Sequence, residues 1–355
     1  MSSKARQLAD LGNQVDDGAI TGTNMVINGA MTVAQRSNSV ASISTNGYHV
    51  CDRWTYNRDG TEVITMSQEN DAPAGFKYST KILVTTADTS LPAGTHIRLG
   101  TRLEAQDVRQ LAHGTVEAKQ ATVSFWVKSN KTGSYSLGLY KGGLSGNTIS
   151  QGYTINSSGT WEYKTLTFSA DTSAGFNSSD ISEGLRVWFT LGANSDRSSG
   201  SSNTWSTSST HRAVGQSVNL FDAINNYWQI TGVCLNVGDS AIDFPHESYG
   251  DTLAKCQRYF EVIYPHDHIF SKYNSTYAYG NISWKVEKRS TPTASQSGLF
   301  IAYGSGQGAH SSVTVGVQNL RTVGGQFYIN NGAYSSYFVR QDSADYGLFY
   351  IDAEL

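Results

Sequence analysis

The chain has 355 residues, of which 15% are charged, and a formal net charge of −3. This balance argues against a nucleic-acid partner, which requires a basic surface to neutralise phosphates. An aromatic content of 11% with so little net charge argues against intrinsic disorder, and no apolar run approaches the ~20 residues of a membrane span. Ser, Thr and Gly together fill about a third of the chain, beside 20 Tyr and 5 Pro, well above ordinary globular usage. What remains is a neutral, hydroxyl-rich β-protein long enough for about two domains.

Residues 1–24 differ from the rest of the chain. Leu8, Leu11 and Val15 recur at helical spacing, but the pattern is too short to be stable alone in water, and Asp16-Asp17-Gly18 breaks it. The segment reads as an anchoring arm that orders against a partner or sister chains, with a frayed tail as the competing reading. Its opening residues, Met1-Ser2-Ser3-Lys4-Ala5-Arg6, lack the apolar stretch of a secretory signal, so synthesis and folding in a cytoplasm are expected. Cys51, Cys234 and Cys256 form an odd set without a C-x-x-C pair, so they are expected to be reduced thiols rather than a disulfide framework or zinc site.

From residue 25 the period is mostly two. Val123, Phe125 and Val127 alternate with Thr122, Ser124, Trp126 and Lys128; Leu185, Val187, Phe189 and Leu191 alternate with Arg186, Trp188 and Thr190. Tyr135, Leu137 and Leu139 repeat the pattern, and Tyr163, Leu166 and Phe168 follow it less regularly. Such half-buried strands predict an all-β protein built on an antiparallel jelly-roll β-sandwich. Asn194 to Ser209 is long and Ser-rich and is expected as a mobile loop over one end of the sandwich. Helical turns are expected at Asp107 to Leu111, with Asp107 as N-cap, and at Asp251 to Cys256. A boundary near Pro265-His266 closes this 25–265 domain. Residues 266–355 read as a small Tyr-rich β-domain, in which Asn331-Gly332 signals a hairpin.

Catalytic templates fail: there is no G-x-S-x-G elbow, H-E-x-x-H or Walker loop. Gly304-Ser-Gly-Gln-Gly308 reads as a loop, and His266-Asp267-His268 as a solvated linker rather than a metal site. Glu104, Asp107, Glu117, Glu162 and Glu183 are scattered, and no pair stands out for glycoside hydrolysis. Outward aromatics are more informative. Trp126 beside Lys128, Trp188 beside Arg186, and Trp205 in the Ser-rich loop are candidate saccharide-stacking residues, because sugar C–H faces pack on indole rings while basic groups hydrogen-bond hydroxyls. The competing reading is that each Trp covers its sheet or packs on a neighbouring subunit. Tyr328, Tyr334 and Tyr337 suggest an adaptable binding surface on the C-terminal domain, with interstrand packing as the alternative.

Several segments, taken in order, resemble a known domain. Asn24-Met-Val-Ile-Asn-Gly-Ala-Met-Thr-Val-Ala-Gln-Arg36 and Gly47-Tyr-His-Val-Cys-Asp-Arg-Trp54 open it. Leu103-Glu-Ala-Gln-Asp-Val-Arg-Gln-Leu111, Val123-Ser-Phe-Trp-Val-Lys-Ser129, Trp161-Glu-Tyr-Lys-Thr-Leu-Thr167 and Gln229-Ile-Thr-Gly-Val-Cys-Leu-Asn-Val-Gly238 continue it. Asp243-Phe244, Ser248-Tyr-Gly250 and Cys256-Gln-Arg-Tyr-Phe260 close it. Over residues 24 to about 264 the chain resembles the carbohydrate-binding-module-like jelly roll of phage tail-fibre proteins, especially those of marine and cyanobacterial viruses. It departs from that pattern at Cys234, Asn236 and Trp188, all expected to point outward.

The resemblance implies a non-enzymatic virion protein of the tail, assembled in the host cytoplasm, that attaches to host surface glycans. A homotrimer is expected, docked on tail, baseplate or adaptor proteins through residues 1–24, with 266–355 as the distal tip and no membrane insertion. A capsid fibre or tail adaptor with a purely structural role is one alternative; a glycan-degrading tailspike enzyme is another. No cofactor is expected. Asp52 and Asp243 could supply oxygens to a structural Ca²⁺, but a full set of six or more ligands cannot be assembled.

Overall fold

The computed structural model describes residues 24–142, 147–263, 269–274, 277–297, 301–304, 309–310, 314–330, 336–340 and 348–355. Leu8, Leu11, Val15, Tyr334, His266-Asp267-His268 and the Asn331-Gly332 turn lie outside the described residues, as does the side chain of Tyr337.

The alternating runs form twelve strands: β1 (Ser39–Ile43), β2 (Gly47–Tyr48), β3 (Trp54–Asn57), β4 (Val63–Glu69), β5 (Ser79–Thr86), β6 (His96–Glu104), β7 (Ala121–Ser129), β8 (Gly133–Lys141), β9 (Thr148–Ile155), β10 (Glu162–Phe168), β11 (Glu183–Ala193) and β12 (Tyr227–Val237). They pair antiparallel into two six-stranded sheets, β1-β4-β5-β12-β7-β10 and β2-β3-β6-β11-β8-β9, the jelly-roll sandwich that the period of two predicts. Val123, Phe125 and Val127 of the first sheet and Leu185, Val187 and Phe189 of the second are fully buried in one core. Phe189 is its hub, with ring centroids 4.9 Å from Phe125, 5.7 Å from Trp228 and 6.2 Å from Trp54. Each such side chain contributes about 1.5–3 kcal/mol through removal from water.

The segment after Asn24 runs beside β12 beyond its bulge, with Met25 N–H donating to the Leu235 carbonyl and Val233 N–H to the Gly29 carbonyl. A Cβ at Gly29 would lie 2.1 Å from the Val233 carbonyl oxygen, so this close approach admits only glycine. Asn28, at φ 58°, accepts from Val33 N–H and donates to the Val33 and Asp52 carbonyls, locking the turn. The side chains of Cys234 and Asn236 point away from the core, as expected, but are 0% and 4% exposed. Burial pushes the Cys51 and Cys234 thiols up to about 12, so both stay protonated at neutral pH.

Two local expectations change. The first helix starts earlier, at Ala105–Val108, and continues as a 3-10 turn over Arg109–Leu111, so Glu104 holds the N-cap position and Asp107 lies inside the first turn. The Ser-rich stretch is tied down rather than loose: Ser206 and Thr148 exchange backbone hydrogen bonds at 2.8 and 2.9 Å. Asn194 and Ser208 cap short 3-10 turns within it by accepting from Asp196 and Thr210 N–H.

The chain divides into two compact units, one of Met1–Tyr249 with Leu355 and one of Gly250–Glu354. The division precedes the expected 265/266 boundary because β13 (Phe260–Ile263) pairs with a strand from the end of the chain. The second unit continues with β14 (Ile269–Lys272), β15 (Tyr277–Ser283), β16 (Thr293–Ser297), β17 (Ile301–Gly304), β18 (Ala309–His310), β19 (Thr314–Arg321), β20 (Gly324–Asn330), β21 (Ser336–Arg340) and β22 (Leu348–Asp352). A three-stranded sheet, β13-β22-β16, accompanies a seven-stranded one, β18-β17-β21-β14-β15-β20-β19. Among the described strands β20 and β21 are not neighbours, while β19 and β20 form a tight hairpin through Thr322-Val323. Phe327 stacks on Phe349 at 4.4 Å in this unit's core, beside a buried Lys288–Glu261 ion pair of 2.7 Å.

Candidate functional site

Trp126 and Lys128 project from β7 onto the outer face of the first sheet. The antiparallel register of β10 sets Tyr163 directly opposite Trp126, with ring centroids 5.3 Å apart and planes inclined at 51°. Tyr163 is 46% exposed and Trp126 half-buried, so the pair offers an open aromatic surface. Polar groups flank it. Asp71 accepts from Trp161 Nε1 at 3.1 Å and forms an ion pair with Lys128, whose ammonium lies 5.4 Å from the Trp161 ring centroid. Partial burial pushes the Asp71 carboxyl up, but the hydrogen bonds from Lys128 and Trp161 outweigh it and hold the carboxyl below its usual range. The combination suits a saccharide: rings for its C–H face, with an ammonium and a carboxylate for its hydroxyls.

Arg186 and Trp188 project from β11 onto the outer face of the other sheet, so the residues grouped from sequence occupy opposite sides of the sandwich. Trp188 is flanked in register by Gly100 on β6 and Gly138 on β8, and Gly100 leaves room for its indole to lie against the sheet, since a Cβ there would sit 2.2 Å from the ring. Guanidinium carbons of Arg98 and Arg186 sit 4.2 and 4.9 Å from the indole centroid, and Tyr140 stacks on it at 5.4 Å. This cover reduces Trp188 to 6% exposure. It is outward-facing, as alternation predicts, but it is not an open platform.

Trp205 lies in the Ser-rich segment, as expected, but is turned inward rather than presented to solvent. It packs against the sandwich core, donates from Nε1 to the Ser169 carbonyl at 2.7 Å and meets His113 edge-on at 5.5 Å. Lys141, fully buried and paired with Asp171 at 2.7 Å, holds its ammonium 4.5 Å from the Trp205 ring centroid. Burial and the Lys141 charge push His113 down to about 4. This cluster is a structural anchor for the Ser-rich segment.

In the second unit Tyr328 is half-buried, lies over Gly316 and meets Tyr277 edge-on at 6.2 Å. Tyr279 lies opposite it across the β15–β20 ladder. Of the two suggested calcium ligands, Asp52 is buried and accepts from both amide groups of Gln35, while Asp243 is exposed. Tyr163, Trp161 and Asp71 were not among the residues the sequence singled out for binding. Trp161-Glu162-Tyr163 is visible as an aromatic strand start, but only the β7–β10 register places it beside Trp126.

No protein-family model matches the chain, and no curated protein sequence matches it. Among solved structures, the chain is similar to an enzymatically active domain of tailspike protein 4 from bacteriophage CBA120, at 15% identity and a TM-score of 0.33. That match covers 60% of this chain and spans 21% of the tailspike chain. It is also similar to a CBM4 module, at 14% identity over 59% of this chain and 97% of that one, with a TM-score of 0.32. A third is the family 11 carbohydrate-binding module of a Clostridium thermocellum cellulosomal cellulase, at 8% identity over 59% and 99% of the two chains, with a TM-score of 0.29. Likenesses of this size carry no argument about what the chain binds.

Proposed function

We propose that the chain is a glycan-binding virion protein, a phage tail fibre that attaches to host surface polysaccharide without cleaving it. The observation that carries this reading is the Trp126–Tyr163 pair, an exposed aromatic surface on a sheet face with Lys128 and Asp71 beside it. Large exposed aromatics next to fixed polar groups are the usual chemistry of saccharide contact. The ordered resemblance of residues 24–264 to tail-fibre jelly rolls supports the virion placement. In this reading residues 1–24 anchor a homotrimer to the tail, and trimerisation raises weak single-site affinity through effective concentration.

Retention of the full chain on immobilised polysaccharide from susceptible host cells tests it. Tyr163→Ala and Trp126→Ala are expected to lower retention roughly tenfold or more, as for aromatic anchors at other interfaces. Unchanged retention in both variants would remove the platform from the site. Release of reducing ends from the same polysaccharide would replace adhesion with hydrolysis.

A further inference from the structure

We propose that the outer face of the second sheet binds an acidic saccharide, whose carboxylate is taken up by the guanidinium groups of Arg98, Arg186 and Arg212 around Trp188. The proposal shares the premise that the chain binds glycans, but assigns a second surface with a different ligand chemistry.

The first argument is charge. Arg98 and Arg186 lie 4.2 and 4.9 Å from the Trp188 centroid, and Arg212 lies 6.0 Å from the centroid of Tyr140, which stacks on that indole. Among the described residues, two carboxylates pair with them. Asp59 is 3.3 Å from Arg98, and Glu183 is shared between Arg186 and Arg102. Arg212 has no ion pair among the described residues. Crowding is visible in Arg98, which burial and the charges of Arg186 and Arg212 push down to about 10 despite Asp59. His96, edge-on to Trp188 at 6.0 Å, is held neutral by burial and by the charges of Arg98, Arg212 and Arg197. An anion placed among these groups relieves the repulsion.

The second argument is the hydrogen-bond inventory. Trp188 Nε1, Arg98 Nε and Arg212 Nε are buried donors that find no acceptor among the described residues. Buried donors are normally satisfied, so these three mark a face whose own acceptors fall short of its donors. A neutral sugar needs acceptors as well as donors, and the carboxylates on this face are already committed to its own arginines. An anion only accepts, and planar guanidinium groups match a carboxylate with paired hydrogen bonds. A sulfate ester offers the same acceptor chemistry, which the choice of probes separates.

The test is retention of the full chain on polygalacturonate, on its carboxyl-reduced neutral counterpart and on dextran sulfate, at low salt and at about 0.3 M salt. Polygalacturonate is expected to be retained and the reduced polymer retained at least tenfold less at this face. Arg212→Gln and Arg186→Gln are expected to lower polygalacturonate retention roughly tenfold, and Arg212→Lys, which keeps the charge without the fork, by less. A thermal midpoint recorded for each variant confirms that the fold is intact. Retention of dextran sulfate alone would change the acid from carboxylate to sulfate and overturn the proposal as stated. No retention of either acidic polymer, equal retention of the reduced one, or no effect of the arginine variants would also overturn it. Tyr163→Ala separates the two readings. It should spare acidic-polymer retention if this proposal holds, whereas loss in Tyr163→Ala with no loss in Arg212→Gln leaves only the first sheet's platform.

Discussion

Trp126 and Tyr163 face each other across the β7–β10 ladder with their rings 5.3 Å apart, on the solvent side of a sheet whose other side is the core. Cross-strand aromatic pairs of this kind couple by about 0.5–1.5 kcal/mol beyond their burial. A double-mutant cycle with Trp126→Ala, Tyr163→Ala and the double variant, read by urea unfolding, is expected to give a coupling in that range. Simple additivity would mean that the two rings stand independently.

Trp205 makes a contrasting case. Its indole N–H bonds the Ser169 carbonyl and its ring packs against His113 and the core. Trp205→Phe is expected to cost about 1–3 kcal/mol of stability through the unsatisfied carbonyl and lost packing. Glycan retention should be unaltered; a loss of retention at unchanged stability would return Trp205 to the binding surface.

Acid should weaken the sandwich in a defined window. His113 is held at about 4 by burial and the neighbouring Lys141 charge, below the 6.5 of an unperturbed histidine. Its folded-state value is depressed, so the unfolded chain takes up the proton first and stability falls as pH drops from about 6.5 to 4. His96, pushed down by burial and nearby arginines, acts in the same direction. One such histidine contributes a slope of about 1.4 kcal/mol per pH unit within the window. In His113→Gln, chemical denaturation across this range should show the slope reduced by about that amount.

Below that window Asp171 takes over. Burial raises its carboxyl, but the hydrogen bonds from Lys141 and Ser173 outweigh this and depress it well below the usual range. Its stabilising contribution is complete above the unfolded value near 4 and is lost as pH falls further. Asp171→Ala, which leaves the buried Lys141 ammonium with the Ala174 carbonyl but no counter-charge, is expected to cost about 3–5 kcal/mol at neutral pH. A cost below 1 kcal/mol in urea titration would show that the ammonium finds water or another acceptor.

Gly100 and Gly138 flank Trp188 unequally. A Cβ at Gly100 would lie 2.2 Å from the indole and 2.3 Å from the Val187 carbonyl, whereas one at Gly138 would meet its nearest atom at 3.3 Å. Gly100→Ala should therefore cost about 1–3 kcal/mol and shift tryptophan emission as the indole is displaced. Gly138→Ala should cost less and leave the emission in place, and equal effects would discard this account of the indole's seat.

Composition and the period of two were enough to determine an antiparallel sandwich, the inward stripes of β7, β8 and β11, and the outward placement of Trp126, Lys128, Arg186 and Trp188. Alternation is a local property, because successive side chains on any extended strand point to opposite faces. Which sheet a strand joins, and which strand lies beside it, is set by pairings between residues far apart in the chain. Sequence therefore grouped Trp126 with Trp188, and only the tertiary structure put them on opposite faces. The same pairings set Tyr163 against Trp126, separated β20 from β21, and drew β13 to β22 and the domain boundary to 249/250. Exposure was also beyond local reach, since Trp188 is covered by arginines from its own and the next strand and Trp205 is held by a carbonyl and a buried ion pair contributed from elsewhere in the chain.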